Sequence, residues 1–389
     1  MMAKLIDITG KAISGEWGND DNNGTGIPVL RTTNFTNEGV INYNNVVTRD
    51  IKKKDLSQKY LQPGDIIIEK SGGSDKQPVG RVVYFDGEPN RYLFNNFTGG
   101  LRVRNKDKWE PRYVFYALFG NYINGGTRRY ENKTTGLHNL KTDQYVQDFD
   151  IKEQPIEYQK MVVTKLDDVT GLIALRKEQL TKLDELVKAR FVELFGSVDC
   201  RISTFGNEFN FISRGKSPSY VECSDLAVIN QACIYWDTIN YGKVKFNDNA
   251  YCGDRVLQYG DVLINSTGTG TLGRANIFNS TGRSQRYMAD SHVTIVRGSA
   301  TCNPVYIKCF LEQAKTQKDI YRLCVSGSTN QIELSKEKFR LLKLPVPPLE
   351  LQNQFAAFVE QTDKSKLEIQ QSLDKLETLK KALMQEYFG

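Results

Sequence analysis

The chain is written twice, and this repetition restricts its possible folds more than any other feature. Residues 155–196 align without a gap to residues 348–389 at a constant offset of 193, and 12 of the 42 positions are identical. The identities include Pro155/Pro348, Glu157/Glu350, Gln159/Gln352, Leu180/Leu373, Leu183/Leu376 and Leu186/Leu379, and both segments end on Phe-Gly. The match continues upstream. Leu61-Gln62-Pro63-Gly64-Asp65 pairs with Leu257-Gln258-Tyr259-Gly260-Asp261, and Gly80-Arg81 with Gly273-Arg274. Each half is therefore expected to be a globular unit of about 150 residues followed by one long terminal segment, which is the domain scale.

The terminal segments read as helices. Each opens on a proline, which suits a first helical turn, and neither contains another. Ile369, Leu373, Leu376, Leu379 and Leu383 recur every three or four residues, and Leu180, Leu183, Val187 and Leu194 form a similar stripe in the first copy. At ~1.5 Å per residue each segment would span roughly 60 Å. An apolar stripe on an otherwise charged helix suits a single partner helix, as in a coiled coil. The simplest partner is the other copy, so the two helices are expected to pair antiparallel through Leu180, Leu183, Val187, Leu373, Leu376 and Leu383, with a pseudo-two-fold relation between repeats.

The globular units differ in texture. Short apolar runs such as Ile27–Leu30, Ile66–Ile68, Val82–Phe85 and Val262–Ile264 are punctuated by Gly-Asp and Asp-Gly turns. One helix is expected in each, near residues 112–122 and 305–317. The fold class is α+β: two β-rich domains with a curved, mainly antiparallel sheet, over residues 1–150 and 197–345, and two long helical spacers over 151–196 and 346–389.

Catalytic chemistry is not evident. Gly268-Thr269-Gly270-Thr271-Leu272-Gly273 fits the dinucleotide-binding glycine pattern but leads into a turn-rich stretch rather than a helix, and its counterpart Ser71-Gly72-Gly73-Ser74 lacks the pattern. Asp65 with Glu69-Lys70 only faintly suggests a nuclease core, because adjacent strand residues face opposite sides. Asn303-Pro304-Val305-Tyr306 is the nearest approach to an amino-methyltransferase motif and sits at a helix start. The two histidines, His138 and His292, lack metal-like spacing to acids or cysteines, so no metal and no catalytic residue is assigned. Seven cysteines without C-x-x-C spacing read as reduced thiols. No apolar run approaches the ~18–20 residues needed to cross a bilayer, and a cytoplasmic location is expected. The net charge of +6 is compatible with nucleic acid without requiring it.

Two β-rich units joined by duplicated helices, with Pro347-Pro348-Leu349-Glu350-Leu351-Gln352 opening the second helix, resemble the specificity subunit of type I restriction–modification enzymes. Gly215-Lys216-Ser217-Pro218 and Gly327-Ser328-Thr329-Asn330-Gln331-Ile332 add to the resemblance; the first copy departs, with Gly15-Glu16-Trp17-Gly18 and Leu137-His138 at the matching places. The resemblance implies two target-recognition domains, each reading one half of a bipartite double-stranded DNA site. It also implies helices that set the spacing and dock two methyltransferase subunits. Those partners would carry S-adenosylmethionine, with no cofactor on this chain, and motor–nuclease restriction subunits would join them. The rival reading is a coiled-coil scaffold whose β-rich domains bind other proteins.

Reading DNA needs amide, hydroxyl and guanidinium groups on loops, with basic residues for phosphates. Candidates in the first unit are Arg31, Thr33, Asn34, Lys70, Ser71, Lys76, Arg128 and Arg129. In the second they are Asn230, Gln231, Ser266, Thr267, Thr269, Arg283 and Arg286.

Overall fold

The structure, a computed structural model, describes the chain except residues 54, 135–136, 249–252, 254, 281–284 and 328–331. It divides into two compact units, Met1–Lys177 with Gln371–Gly389, and Glu178–Gln370.

In the first unit a four-stranded antiparallel sheet runs Ile13–Ser14, Thr98–Leu101, Ile66–Glu69, Val82–Tyr84 in spatial order. A second sheet runs Asn19–Asp20, Val47–Asp50, Ile27–Leu30, Leu93–Phe94, its last pair parallel. The second unit repeats this arrangement. Phe211–Arg214, Val293–Arg297, Val262–Asn265 and Ala275–Ile277 form one sheet, and Tyr220–Val221, Lys245–Asn247, Leu226–Ile229 and Arg286–Ala289 the other, again with a parallel last pair.

Each unit thus holds two four-stranded sheets where a single curved one is expected from the sequence. The cause is visible in the apolar runs, which have no polar face. Ile66 and Ile68 pack with the helix Pro111–Ile123 in one core, while Ile67 points the other way into a cluster with Leu30, Phe35, Phe85 and Phe94. Val262 and Ile264 pack with the helix Pro304–Glu312, and Leu263 with Ile229, Cys233 and Ile234. A strand covered on both faces needs a layer on each side, which is why these runs lack alternation.

The repeated Gly-Asp motif has a structural role. Arg102 donates through Nε and Nη2 to the two carboxylate oxygens of Asp65 at 2.8 and 2.7 Å, and Arg297 grips Asp261 identically at 2.6 and 2.6 Å. Each aspartate also accepts from a backbone N–H three residues upstream, Gln62 or Gln258 at 2.8 Å. The intervening Gly64 and Gly260 lie at φ of 100° and 89°, where a side chain would be strained.

The long helices run Ile156–Phe195 and Leu349–Phe388. They begin after the expected boundaries at 151 and 346 because Asp150–Lys152 and Lys343–Val346 are strands that close their own units. In the first unit Val162 and Leu166 share a core with Leu383, Met384, Tyr387 and Phe388, and Lys177 pairs with Glu377 at 3.3 Å. In the second, Phe191 and Phe195 each lie 5.5 Å from Phe355, and Asp184 pairs with Lys366 at 2.7 Å. Within each unit the two helix segments pack antiparallel. Of the expected seam, Leu373 is buried, and Leu180, Leu183, Val187, Leu376 and Leu383 are half-buried. Leu379, on the same stripe in the sequence, is 46% exposed, and its counterpart Leu186 48%. The deepest burial falls on Val162, Leu166 and Phe355, because there the helices also meet the globular core. Buried Gln159 and Gln352 fasten each helix start. Gln159 accepts from Glu110 N and donates to the Lys108 and Gln154 carbonyls; Gln352 does the same with Asn303 N and the Thr301 and Pro347 carbonyls.

Candidate nucleic-acid interface

In each unit, hydrogen bonds tie several loops at strand ends to one another. In the first, Arg81 donates to the Thr32 and Phe35 carbonyls at 2.9 and 3.0 Å, and Gln77 donates to Asn37 at 3.0 Å. These bonds tie the Arg31–Asn34 loop to residues 70–81. Arg128 donates to the Asp75 carbonyl at 3.3 Å, and Ser71 bridges to Asn139, which adds the 128–140 segment. Arg31, Thr33, Lys70, Ser71, Lys76 and Arg128 therefore lie on one connected set of loops. Thr33, Lys76, Arg128 and Arg129 are exposed, and the Arg129 guanidinium stacks over Tyr130.

Asn34 is different: it is 2% exposed, and its amide donates to the Asn42 carbonyl at 3.0 Å, which holds the loop closed. Glu69 lies beneath the loops; burial pushes its carboxyl above the ordinary value and the Arg81 guanidinium opposes the shift. Glu131 accepts from Val79 N and bonds His138, giving that buried histidine a structural partner.

In the second unit Thr267 donates to Gln231 Oε1 at 2.8 Å and bonds His292 Nδ1 at 3.1 Å, while Asn265 donates to the Gln231 carbonyl at 3.1 Å. Asn265 Oδ1 is buried with no donor among the described residues. Asn230 accepts from Ala232 N at 2.8 Å and shapes the turn. Ser266 is fully buried against Thr294 at 2.6 Å, so its hydroxyl is spent inside the sheet; Thr269 is exposed.

Arg286 does not join this cluster. It pairs with Asp225 at 3.1 Å beside the start of Leu226–Ile229, four residues or about 13 Å from Asn230 just past the other end. Arg283 lies outside the described residues.

A shallow groove adjoins each cluster. Ser14, Lys70, Lys141 and Thr142 help line it in the first unit, and Arg214, Arg255 and Lys336 in the second. Gly268, Gly270 and Gly273 all have positive φ, and the chain then enters the strand Ala275–Ile277, so this loop does not open a helix as a dinucleotide site would. Among the described residues no cluster of His, Cys, Asp and Glu could hold a metal, and no described helix is long and apolar enough to cross a membrane.

The model of the type I restriction modification DNA specificity domain matches residues 2–185 and again 204–381, nearly the whole chain in two copies. The chain belongs to this family. Among curated proteins, this specificity-domain chain is 24% identical over 192 residues to a putative type I restriction enzyme MjaX specificity subunit of Methanocaldococcus jannaschii. That alignment covers 49% of this chain and 44% of the relative, so the chain spans less than half of that protein's length. Two solved structures share the fold over 100% of the chain. One is a type I restriction-modification S subunit from M. genitalium (TM-score 0.60, 13% identity, 96% of that chain); the other comes from work on assembly and conformational transition of the type I R-M system (TM-score 0.58, 16% identity, 97%).

For a specificity domain, the sequence reading missed the turns that carry Phe97 and His292, which bond to Lys70 and Ser71 in one cluster and to Ser266 and Thr267 in the other. The signal was present: Asn95-Asn96-Phe97-Thr98 and Asp290-Ser291-His292-Val293 stand at an offset of 195, each ahead of a strand.

Proposed function

We propose that this chain is the non-catalytic DNA-reading subunit of a type I restriction–modification complex, each unit reading one half of a bipartite target. The observation that carries the reading is one framework used twice beneath different exposed loops. The Asp–Arg grip and the buried glutamine recur residue for residue, while position 70 is a half-buried lysine and its counterpart Ser266 a buried hydroxyl. A conserved frame under divergent polar loops suits two different half-sites, because direct readout depends on loop side chains and the frame only positions them.

The long helices would set the spacing and dock two methyltransferase subunits, which supply S-adenosylmethionine and the transfer chemistry; motor–nuclease subunits would join that assembly. In support, Leu172, Leu175, Leu186, Val192, Leu367 and Leu379 are each between 45% and 60% exposed, an excess of apolar surface on charged helices that suits a protein partner. The test is affinity for target duplex, measured on the chain with its methyltransferase at rising salt. Phosphate contacts from groups such as Lys76 and Arg128 predict a steep linear fall of log K with log salt. A flat salt dependence would return the scaffold reading.

A further inference from the structure

The turns Asn95–Thr98 and Asp290–Val293 have the same geometry and opposite chemistry. Thr98 N donates to the Asn95 carbonyl at 3.1 Å, and Val293 N to the Asp290 carbonyl at 2.9 Å, so Phe97 and His292 hold the same third position. Their carbonyls are fixed alike. Lys70 N donates to Phe97 O and Ser266 N to His292 O, both at 2.8 Å, while Leu140 N and Leu334 N bond the Lys70 and Ser266 carbonyls. The floor of each turn is a glycine pressed against it: a Cβ on Gly15 would lie 2.0 Å from Asn95 O, and one on Gly215 2.3 Å from Asp290 O. The backbone is therefore held rigidly, yet the side chain it displays is free to differ.

In the second unit that side chain is an exposed imidazole bonded to Thr267, a group that donates and accepts hydrogen bonds. In the first it is a phenyl ring, 54% exposed, that belongs to none of its unit's hydrophobic clusters among the described residues. Folding the first unit therefore does not account for this ring. Its backbone carbonyl accepts from the Lys70 and Ser71 N–H groups at 2.8 and 3.2 Å, which sets the residue beside the basic loops, where a ring without polar atoms makes only apolar contacts with a base edge. In the major groove the apolar feature of a base edge is the C5-methyl of thymine.

We infer that Phe97 is a specificity-determining residue of the first unit that contacts a thymine methyl in its half-site, and that His292 occupies the equivalent reading position in the second. This inference rests on the DNA-reading function proposed above.

The test uses the full chain in complex with its methyltransferase subunit and a duplex bearing the target mapped from methylated DNA. Each thymine on either strand is replaced in turn by deoxyuridine, which removes only the methyl group. One replacement in one half-site is expected to weaken binding by the wild-type complex about fourfold, the worth of one apolar carbon. Phe97→Ala is expected to abolish that discrimination at the same position, leave the other half-site unchanged and keep the melting temperature, since the ring packs in no core. A wild-type complex indifferent to every replacement, or a Phe97→Ala complex that keeps the penalty, overturns the inference while the DNA-reading function stands. A wild-type complex with no preferred sequence overturns that function itself, and the inference with it.

Discussion

Gln159 and Gln352 show how a single residue type can hold a repeat together. Each buried amide satisfies one backbone N–H and two carbonyls at the junction of long helix and globular unit. Leucine has the size but none of the polar atoms, so Gln352→Leu leaves three buried groups unpaired. Leaving such groups unpaired costs about 1–3 kcal/mol each, and a loss near 3 kcal/mol is expected from urea denaturation of the variant. The identity of these glutamines was plain in the sequence, but their role was not, because two of the three partners of each come from a loop 49 to 51 residues away. The same holds for Arg102 and Arg297, whose aspartates lie 37 and 36 residues upstream. Glu208 supplies a pH test. The Arg201 guanidinium, bonded to both its oxygens, holds its carboxyl at about 2 against a usual 4.5, with help from Ser203 and Thr301 and against the effect of burial. A depressed value means that stability is present in full above pH 4.5 and is lost as the pH falls towards 2. Glu208→Gln is expected to flatten that part of the stability–pH curve, measured by denaturation between pH 5 and 2.5; a variant that follows the wild-type curve would remove the effect from this residue.

At the scale of elements, periodicity announced the long helices and the duplication their antiparallel pairing, but neither said which leucines the seam would take. Apolar residues occur on several faces, and Leu166 is fully buried while Leu175 and Leu186 stay open. The choice is made by tertiary packing, since Leu166 meets the globular core of its unit. Leu166→Asp places a charge in that core and is expected to cost about 4 kcal/mol or more, enough to unfold the first unit by circular dichroism or hydrogen exchange. Leu186→Asp and Leu379→Asp are expected to leave the melting temperature unchanged within about 1 °C of wild type, because both sites face solvent. If these helices dock methyltransferase subunits, the same two variants weaken co-purification of that partner. The strands were legible as apolar runs, yet the second sheet was not, because an unbroken run such as Ile66-Ile67-Ile68 states only that both faces are covered, not by what.

At the scale of the molecule, duplication was the most legible fact, and it organises the fold: each unit carries two four-stranded sheets with the same order and the same parallel pair. Less of the candidate interface could be read. Polar loops drew attention to Arg31, Lys70, Gln231 and Thr267, which the fold does bring into the two clusters, but also to Ser266 and Asn34, whose polar atoms are spent inward. An arginine such as Arg286 looks equally suitable in sequence wherever its strand delivers it, and only the parallel pairing with Leu226–Ile229 reveals its distance from Asn230. Two units built alike beneath different loops are expected to read different half-sites. The most direct measurement is a genome-wide map of methylated bases in cells that express this chain with a methyltransferase subunit and no other modification enzyme. The expected result is methylation confined to one sequence split into two unlike half-sites with a constant gap. Methylation scattered without a shared sequence, or confined to one uninterrupted motif, would contradict it.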